Sequence, residues 1–151
     1  MSKNCLACDL ISGKTDLPGG RIYRTKHWVV EHCIGPLNVG TLIVKPFRHC
    51  IHFWELNPDE VQELGLLLHK VSNVIKTILK PDQIYMCLWS HAGWTPGHIH
   101  FVLQPSWDNL QKTHKRPGPF LQVEMFETDK KPDRGKIESF VKKAKEILYK
   151  S

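Results

Sequence analysis

The sequence predicts an α+β domain in which a central antiparallel sheet of about five strands packs with two separate helices. Three observations predict this class: short segments have strand-like patterns and one of them, residues 97–104, alternates apolar and polar residues; turns rich in glycine and proline separate them; and two longer segments repeat apolar residues at helical spacing. Strands that hairpins join run antiparallel. A chain of 151 residues is long enough for a single domain with a sizeable core.

The strands are predicted as short segments between turns, and the last of them also shows alternation. A short helical turn at 10–14 is followed by a chain break at Pro18-Gly19-Gly20. The predicted strands cover 21–25 and 27–32 as a hairpin, then 41–45, 83–89 and 97–104. The last two should pair with each other across the intervening glycine- and proline-containing loop.

The first long helix begins at a well-formed cap. Asn57 can cap, Pro58 suits the first helical position, and Glu60 can reach back to the cap. An apolar stripe follows and Pro81 ends it; its members are Val61, Leu64, Leu68, Val71, Ile75 and Ile78. The pattern predicts about six turns of helix with this stripe in the core.

The C-terminal third carries weaker signals. Residues 106–119 are interpreted as a polar loop, and residues 120–126 as a strand or an irregular segment. Asp133 is predicted to cap an amphipathic helix over about 133–149, whose apolar residues are Ile137, Phe140, Val141, Ala144, Ile147 and Leu148.

Composition and charge favour some partners and exclude others. The formal net charge of +6 weakly favours anionic partners such as phosphates. Several lysines lie near the C-terminus, where they fit the solvated face of a helix, so nucleic acid is not the expected partner. The sequence shows neither an apolar run long enough to span a membrane nor a secretory signal, and its odd number of cysteines predicts reduced thiols in the cytoplasm.

The most informative stretch is Gly97–Gln104. Alternation along this strand puts His98, His100, Val102 and Gln104 on one face and the apolar residues between them on the other. Two imidazoles on one face, next to a loop, are typical of a functional site. Two histidines of a strand can equally be ordinary surface residues, and the pattern alone leaves both interpretations open.

A Cys-x-x-Cys pair, Cys5 and Cys8, opens the chain. Three interpretations compete for it: a redox pair, half of a zinc site, and two buried thiols. A redox pair needs a neighbouring βαβ unit, which the sequence does not predict here. A zinc site needs two further ligands from elsewhere in the chain.

Several motifs taken together resemble the histidine triad (HIT) family. They occur in the family's order and span about residues 5–105: Cys5 and Cys8, the loop Pro36–Gly40, the strand end Lys45-Pro46 followed by His49, the helix from Pro58, and the segment Gly93–His100. The resemblance implies a HIT-like α+β fold and a homodimer with two equivalent nucleotide sites.

The resemblance also implies a chemistry. The family hydrolyses or transfers nucleotides at the α-phosphate through a covalent nucleotidyl-histidine, and the nucleophile maps onto His100. An imidazole attacks well when an acceptor holds its other nitrogen. The corresponding ligand-binding positions are Glu31, Cys33, Gly93, Trp94, Thr95, Val102 and Gln104.

Zinc-containing members of the family and the related uridylyltransferases resemble this chain in a further way. Their zinc ligands map onto Cys5, Cys8, His49 and His98. Two thiolates and two imidazoles satisfy a closed tetrahedral site, so the resemblance implies a structural Zn²⁺. Such a site would connect the N-terminus to the sheet and fix His98 beside His100.

The sequence departs from the family pattern around the phosphate. Val102 replaces the third histidine and its side chain cannot donate a hydrogen bond. Trp94 stands where the family usually has glutamine, and Cys33 stands where an acidic residue often meets the ribose, a role that Glu31 is placed to take over. His91 and His114 are candidate replacements for the missing histidine, although an ordinary exposed role suits both.

Three functions follow, from different classes. The first is an enzyme that uses His100 on a nucleoside phosphate or dinucleoside polyphosphate. The second is a protein with the same scaffold that binds a nucleotide or another phosphorylated ligand without turning it over, as Val102 and Trp94 suggest. The third, which the sequence favours least, is nucleic-acid binding through the basic surface.

Overall fold

The structure is a computed structural model that describes residues 4–90, 97–115 and 118–150. In chain order its elements are α1 (Leu6–Ser12), β1 (Tyr23–Arg24), β2 (Trp28–His32), β3 (Leu42–Pro46), a short 3-10 helix (Phe53–Glu55), α2 (Pro58–Leu79), β4 (Gln83–Trp89), β5 (His100–Ser106), α3 (Asp108–His114), α4 (Pro119–Glu127) and α5 (Arg134–Lys150). None of the helices among these residues is both long and apolar enough to cross a membrane.

The strands form one sheet in the order β1-β2-β3-β5-β4, and every neighbouring pair is antiparallel. This confirms the predicted α+β class with its antiparallel sheet. The hairpin of β1 and β2 and the pairing of β4 with β5 are also confirmed. Strand β5 begins at His100 rather than at residue 97, and α1 begins at Leu6 rather than at residue 10.

The two faces of the sheet have different roles. One face carries Val30, Val44 and Leu103, which are fully buried against α2 and α5 in the main hydrophobic core. The opposite face carries a row of side chains that crosses three strands, because Glu31 pairs with Ile43 and Ile43 pairs with Val102. Side chains alternate between faces along a strand, so this second row lies away from the core.

Helix α2 begins as predicted, but its buried face is rotated from the predicted stripe. Glu60 turns inward, closes a capping box with Asn57 and accepts two hydrogen bonds from the Arg48 guanidinium at 2.7 and 2.9 Å. Val61 follows about 100° further around the helix and is 45% exposed, so its predicted core position is wrong. The buried apolar residues are Leu64, Leu67, Val71, Val74 and Ile75.

The segment after β5 is more helical than its sequence indicates. The predicted loop at 106–119 contains α3, and the predicted strand or irregular segment at 120–126 lies within α4. Pro119 occupies the first turn of α4, Leu121 is fully buried, and the Gln122 side chain accepts a hydrogen bond from Trp89 Nε1 at 2.9 Å. Packing on the second face of the sheet therefore determines the conformation of this segment. The predicted helix after Asp133 is confirmed, and the Asp133 carboxylate accepts from the Lys136 backbone N–H.

A buried histidine connects β2 to the loop before β3. His32 Nδ1 donates to the Cys33 carbonyl at 2.7 Å, and its Nε2 accepts from the Gly40 N–H at 2.8 Å. Its ring also meets the edge of Phe140 in α5. Burial lowers the pKa of His32, and the Cys33 carbonyl offsets this effect only partly. The imidazole is therefore neutral in the native protein at neutral pH.

The packing of α2 predicts unequal effects for the same substitution at two positions. Val71→Ala should lower the free energy of unfolding by about 1–3 kcal/mol, because Val71 is fully buried. Val61→Ala on the exposed side should change it by no more than about 0.5 kcal/mol. Urea denaturation of both variants measures the difference, and equal losses would contradict the observed orientation of the helix.

The buried state of His32 predicts a pH-dependent stability. As pH falls below about 6.5, the unfolded chain takes up a proton at this position while the native chain resists it, so stability decreases towards acid. His32→Gln should flatten the slope of unfolding free energy against pH between 7 and 5 by up to about 1.4 kcal/mol per pH unit. His69→Gln, on an exposed helix face, serves as the control and should leave the slope as it is. Identical slopes for the native protein and His32→Gln would contradict the assignment.

Candidate functional site

Four side chains of metal-binding type converge at one end of the sheet. Cys5 occupies the N-cap position of α1 and Cys8 lies in its first turn, whereas His49 follows β3 and His98 precedes β5. Their potential ligand atoms all lie within 4.8 Å of one another. Three distant parts of the sequence therefore meet at one point.

The distances fit a tetrahedral metal. Cys5 Sγ lies 3.6 Å from His98 Nδ1, and Cys8 Sγ lies 3.4 Å from His49 Nδ1 and 3.6 Å from His98 Nδ1. Usual zinc–sulfur and zinc–nitrogen bond lengths in tetrahedral geometry give sulfur–nitrogen separations of about 3.6 Å. The donor set and its spacing thus suit a closed metal site.

The surroundings of His98 orient it for this role. His98 Nε2 donates to the Pro46 carbonyl at 3.0 Å, so Nδ1 carries the lone pair that faces the two thiols. Burial is the main cause that lowers the pKa of His98 to about 4. The imidazole is therefore neutral at physiological pH, and a neutral imidazole is the form that binds a metal.

His100 lies beside this cluster and depends on it for its orientation. Its Nδ1 donates to the backbone carbonyl of His98 at 2.8 Å. That hydrogen bond defines the tautomer and leaves the lone pair on Nε2. The half-buried ring lines a cavity of about 730 Å³, which lies within the range of small-molecule sites.

Three walls and a floor enclose the cavity. The floor is the second face of the sheet, with Glu31, Ile43, Lys45, His100 and Val102. Helix α1 supplies Leu6, Ala7 and Leu10, the β2–β3 loop supplies Cys33, Ile34, Gly35, Pro36 and Leu37, and α4 with the chain after it supplies Val123, Phe126, Glu127, Asp129 and Lys131. Most of this lining is apolar, which suits a ring bound between the walls.

The structure brings some of the predicted ligand-binding residues to the cavity and not others. Glu31, Cys33 and Val102 line it. Burial raises the pKa of the Cys33 thiol to about 11, so that thiol is protonated. Gln104 lies outside the lining, and its Nε2 donates to Asn38 Oδ1 at 2.7 Å in a partly buried contact. The predicted positions Gly93, Trp94 and Thr95 lie outside the described residues, as does His91.

The candidate replacement His114 also lies away from His100. It pairs with Glu124 at 3.1 Å, between α3 and α4, and lines a separate hollow. Of the two candidate replacements the structure therefore describes only His114, and it does not line the cavity of His100.

Sequence analysis did not identify two groups that shape the site. Lys45 lies on the cavity floor, and its Nζ donates to the Ala7 carbonyl of α1 at 3.2 Å. The available signal was its spacing: Lys45 lies two residues after Ile43 on β3, so both side chains lie on the same face of the sheet. The wall from α4 had no such signal, because the sequence did not predict that helix.

Comparisons with known proteins bear on the fold. No protein-family model matches the chain. It is similar to an uncharacterized HIT-like protein of Mycoplasma genitalium, with 24% identity over 124 residues that cover 76% of this chain and 86% of the relative. An uncharacterized HIT-like protein of Methanocaldococcus jannaschii is 27% identical over 105 residues, which cover 69% and 80%.

Solved structures give the same result at the level of the fold. A hypothetical histidine triad nucleotide-binding protein from Sulfolobus tokodaii superposes with a TM-score of 0.73 at 21% identity, covering 97% of this chain and 93% of that one. A zinc-bound histidine triad family protein from Mycobacterium smegmatis gives 0.68 at 21% identity, covering 97% and 94%. The curated relatives and these structures support the resemblance found in the sequence, and this chain has the histidine triad fold.

Proposed function

We propose that the chain is a HIT-like enzyme that acts on the α-phosphate of a nucleoside phosphate or dinucleoside polyphosphate. The observation that carries the proposal is the placement of His100, whose ring lines the cavity while the His98 carbonyl holds its Nδ1. A fixed imidazole with a lone pair on Nε2 is the arrangement that a nitrogen nucleophile requires. The description of the Sulfolobus tokodaii protein as nucleotide-binding supports the ligand class.

The reaction has two steps. In the first, His100 Nε2 forms a bond to the α-phosphorus, and the bond from phosphorus to the leaving oxygen breaks with its electron pair on that oxygen. In the second, a water oxygen bonds to phosphorus, the phosphorus–nitrogen bond breaks, and the water proton passes to solvent. His100 is thereby regenerated with its Nδ1 still donating to the His98 carbonyl.

Val102 restricts the leaving groups that this site can expel. An alkoxide or amine leaves only when a donor protonates it, and the buried Val102 side chain has no proton to give. A phosphate or polyphosphate leaves as a stable anion without that help. The site therefore suits substrates in which the α-phosphate is part of an anhydride.

The same residue favours a second candidate. With valine in place of the third histidine, the scaffold can bind a nucleotide or another phosphorylated ligand without turning it over. Binding of nucleotides without an adduct on His100 and without product would support this alternative.

We further propose that Cys5, Cys8, His49 and His98 hold a structural Zn²⁺. Their separations support the assignment, and a closed set of two thiolates and two imidazoles supplies stability rather than an open position for water. Zinc is described for the similar Mycobacterium smegmatis protein. Thiolate ligands of this kind require reduced cysteines, for which the cytoplasm is the suitable compartment.

The zinc assignment predicts about one metal ion per chain in the purified protein. Elemental analysis should find it in the native protein and only traces of it in Cys5→Ser/Cys8→Ser. The control Cys33→Ser/Cys87→Ser also removes two thiols, but from positions outside the cluster, and should keep the metal. A native protein that is folded and free of metal would contradict the assignment.

The nucleophile assignment predicts the behaviour of His100→Ala. Turnover of an active nucleotide should fall by at least about 10³-fold, while the circular dichroism spectrum stays native. Acid-quenched mass spectrometry should detect a nucleotidyl adduct in the native protein and not in this variant. His69→Ala, at an exposed position of α2, should retain both turnover and adduct. Full activity of His100→Ala would show that another residue is the nucleophile.

We also propose that two copies associate along β4. This strand lies at the edge of the sheet, and Met86 and Leu88 on it are exposed apolar residues. An apolar edge strand is a ready template for pairing with a second chain. Sedimentation equilibrium should then give twice the 17.5 kDa mass of one chain.

A further inference from the structure

Two opposite charges lie together on the floor of the cavity. Lys45 Nζ is 2.6 Å from Glu31 Oε2, and both side chains are only 2% exposed. Both residues line the cavity, whose other walls are mostly apolar. Removing two charges from water costs several kcal/mol for each ion, so a pair at such a position needs good compensation from its neighbours.

That compensation is incomplete within the part of the chain that the structure describes. Glu31 Oε1 is buried and accepts no hydrogen bond. Lys45 Nζ carries three protons, and its described acceptors are Glu31 and the Ala7 carbonyl. The pair therefore has one acceptor and one donor left to offer, side by side. A buried unsatisfied acceptor at a cavity is a group that a ligand can satisfy.

The strand register gives the position of this pair relative to His100. Glu31 and Val102 lie in the same cross-strand row, two strands and about 10 Å apart. His100 lies two residues before Val102 along β5, a distance of about 7 Å. The backbone positions of Glu31 and His100 are thus about 12 Å apart on the same face. Continuing the β3–β5 register places Lys45 across from His100, about 5 Å away at the backbone, and its side chain reaches from there to Glu31. A ligand with its phosphate at His100 can extend past Lys45 and bring its opposite end over the Glu31 carboxylate.

We propose that Glu31 and Lys45 determine specificity by reading the Watson–Crick edge of a nucleotide base, and that Glu31 does this in place of the ribose contact that the family resemblance suggests for it. Glu31 Oε1 accepts a hydrogen bond from an amino or imino N–H of the base, and Lys45 Nζ donates to the ring nitrogen or carbonyl beside it. The inference rests on the proposed function and adds a substrate class: nucleoside 5′-phosphates whose base carries that donor. Adenine and guanine both present a donor next to an acceptor, whereas unsubstituted purine keeps the acceptor and has no donor.

Purine riboside 5′-monophosphate therefore provides a matched probe. Titration calorimetry with the metal-containing native protein should show AMP and GMP binding at least about 10-fold more tightly than this analogue. Ribose 5-phosphate, which has no base, should bind more weakly than all three. The ratio of dissociation constants isolates the single missing donor, because phosphate and sugar are the same in each nucleotide.

A double variant tests whether the charged pair causes the discrimination. Glu31→Leu/Lys45→Met replaces both charges with apolar side chains of similar size, so no unpaired charge is left buried and the fold is expected to survive. In this variant the ratio between AMP and the analogue should fall to about one. Asp108→Leu/Lys112→Met removes an exposed ion pair on α3 and should keep the native ratio.

The outcomes separate this inference from the proposed function. If AMP, GMP and the purine analogue bind the native protein equally, or if the double variant keeps the native ratio, the base-reading role is wrong and the nucleotide chemistry at His100 stands. If none of the nucleotides binds, and ATP or a dinucleoside polyphosphate forms no adduct on His100, both are wrong. The native analogue series decides the matter even if the double variant does not fold.

Discussion

His98 connects the two parts of the site through a single residue. Its imidazole faces the two thiols of α1, while its backbone carbonyl accepts the Nδ1 proton of His100. The Pro46 carbonyl holds the other nitrogen of the same ring at 3.0 Å. The orientation of the proposed nucleophile therefore depends on the order of the cluster, and the cluster depends on bringing the N-terminal helix to the ends of β3 and β5.

The same cluster also shapes the cavity. Cys5 and Cys8 hold α1 in place at its first turn, and the Lys45 ammonium donates to the Ala7 carbonyl that lies between them. Because α1 is one wall of the cavity, the contacts of the cluster define the space in which a ligand fits. A structural metal site at this position would contribute to binding without touching the ligand.

The parts of the fold that the sequence predicts correctly are those with a strong local signal, such as a bounded apolar run or a helix cap. A short apolar run after Pro81 identified the strand of residues 83–89 with its bounds, and capping chemistry identified the start of α2 at Pro58. The four cluster residues were found because their types and order resemble a known pattern, and the structure brings them together. For His100 the sequence indicated a position on a strand, and the structure adds the hydrogen bond that orients the ring.

The features that the sequence did not predict depend on contacts between distant segments. In α4 the apolar residues Phe120, Val123 and Phe126 are exposed while Gln122 is buried, so no apolar stripe marks the helix. The apolar spacing assigned Val61 to the core. In the structure Glu60 takes the inward position instead, because it accepts a hydrogen bond from Arg48 in the connection before α2, and the spacing alone does not show that contact. The Glu31–Lys45 pair joins neighbouring strands, and a single strand read alone does not reveal such a pair.

Because the two faces of the sheet have opposite roles, the pairing register of β5 is fixed. Phe101 packs against the core and its neighbours His100 and Val102 line the cavity, so a slip of β5 by one residue would exchange their environments. Such a slip would place an imidazole among aliphatic side chains and an aromatic ring where phosphate is expected. The hydrophobic effect, which penalises that exchange, thereby keeps the His100 ring in register on the cavity face of the sheet.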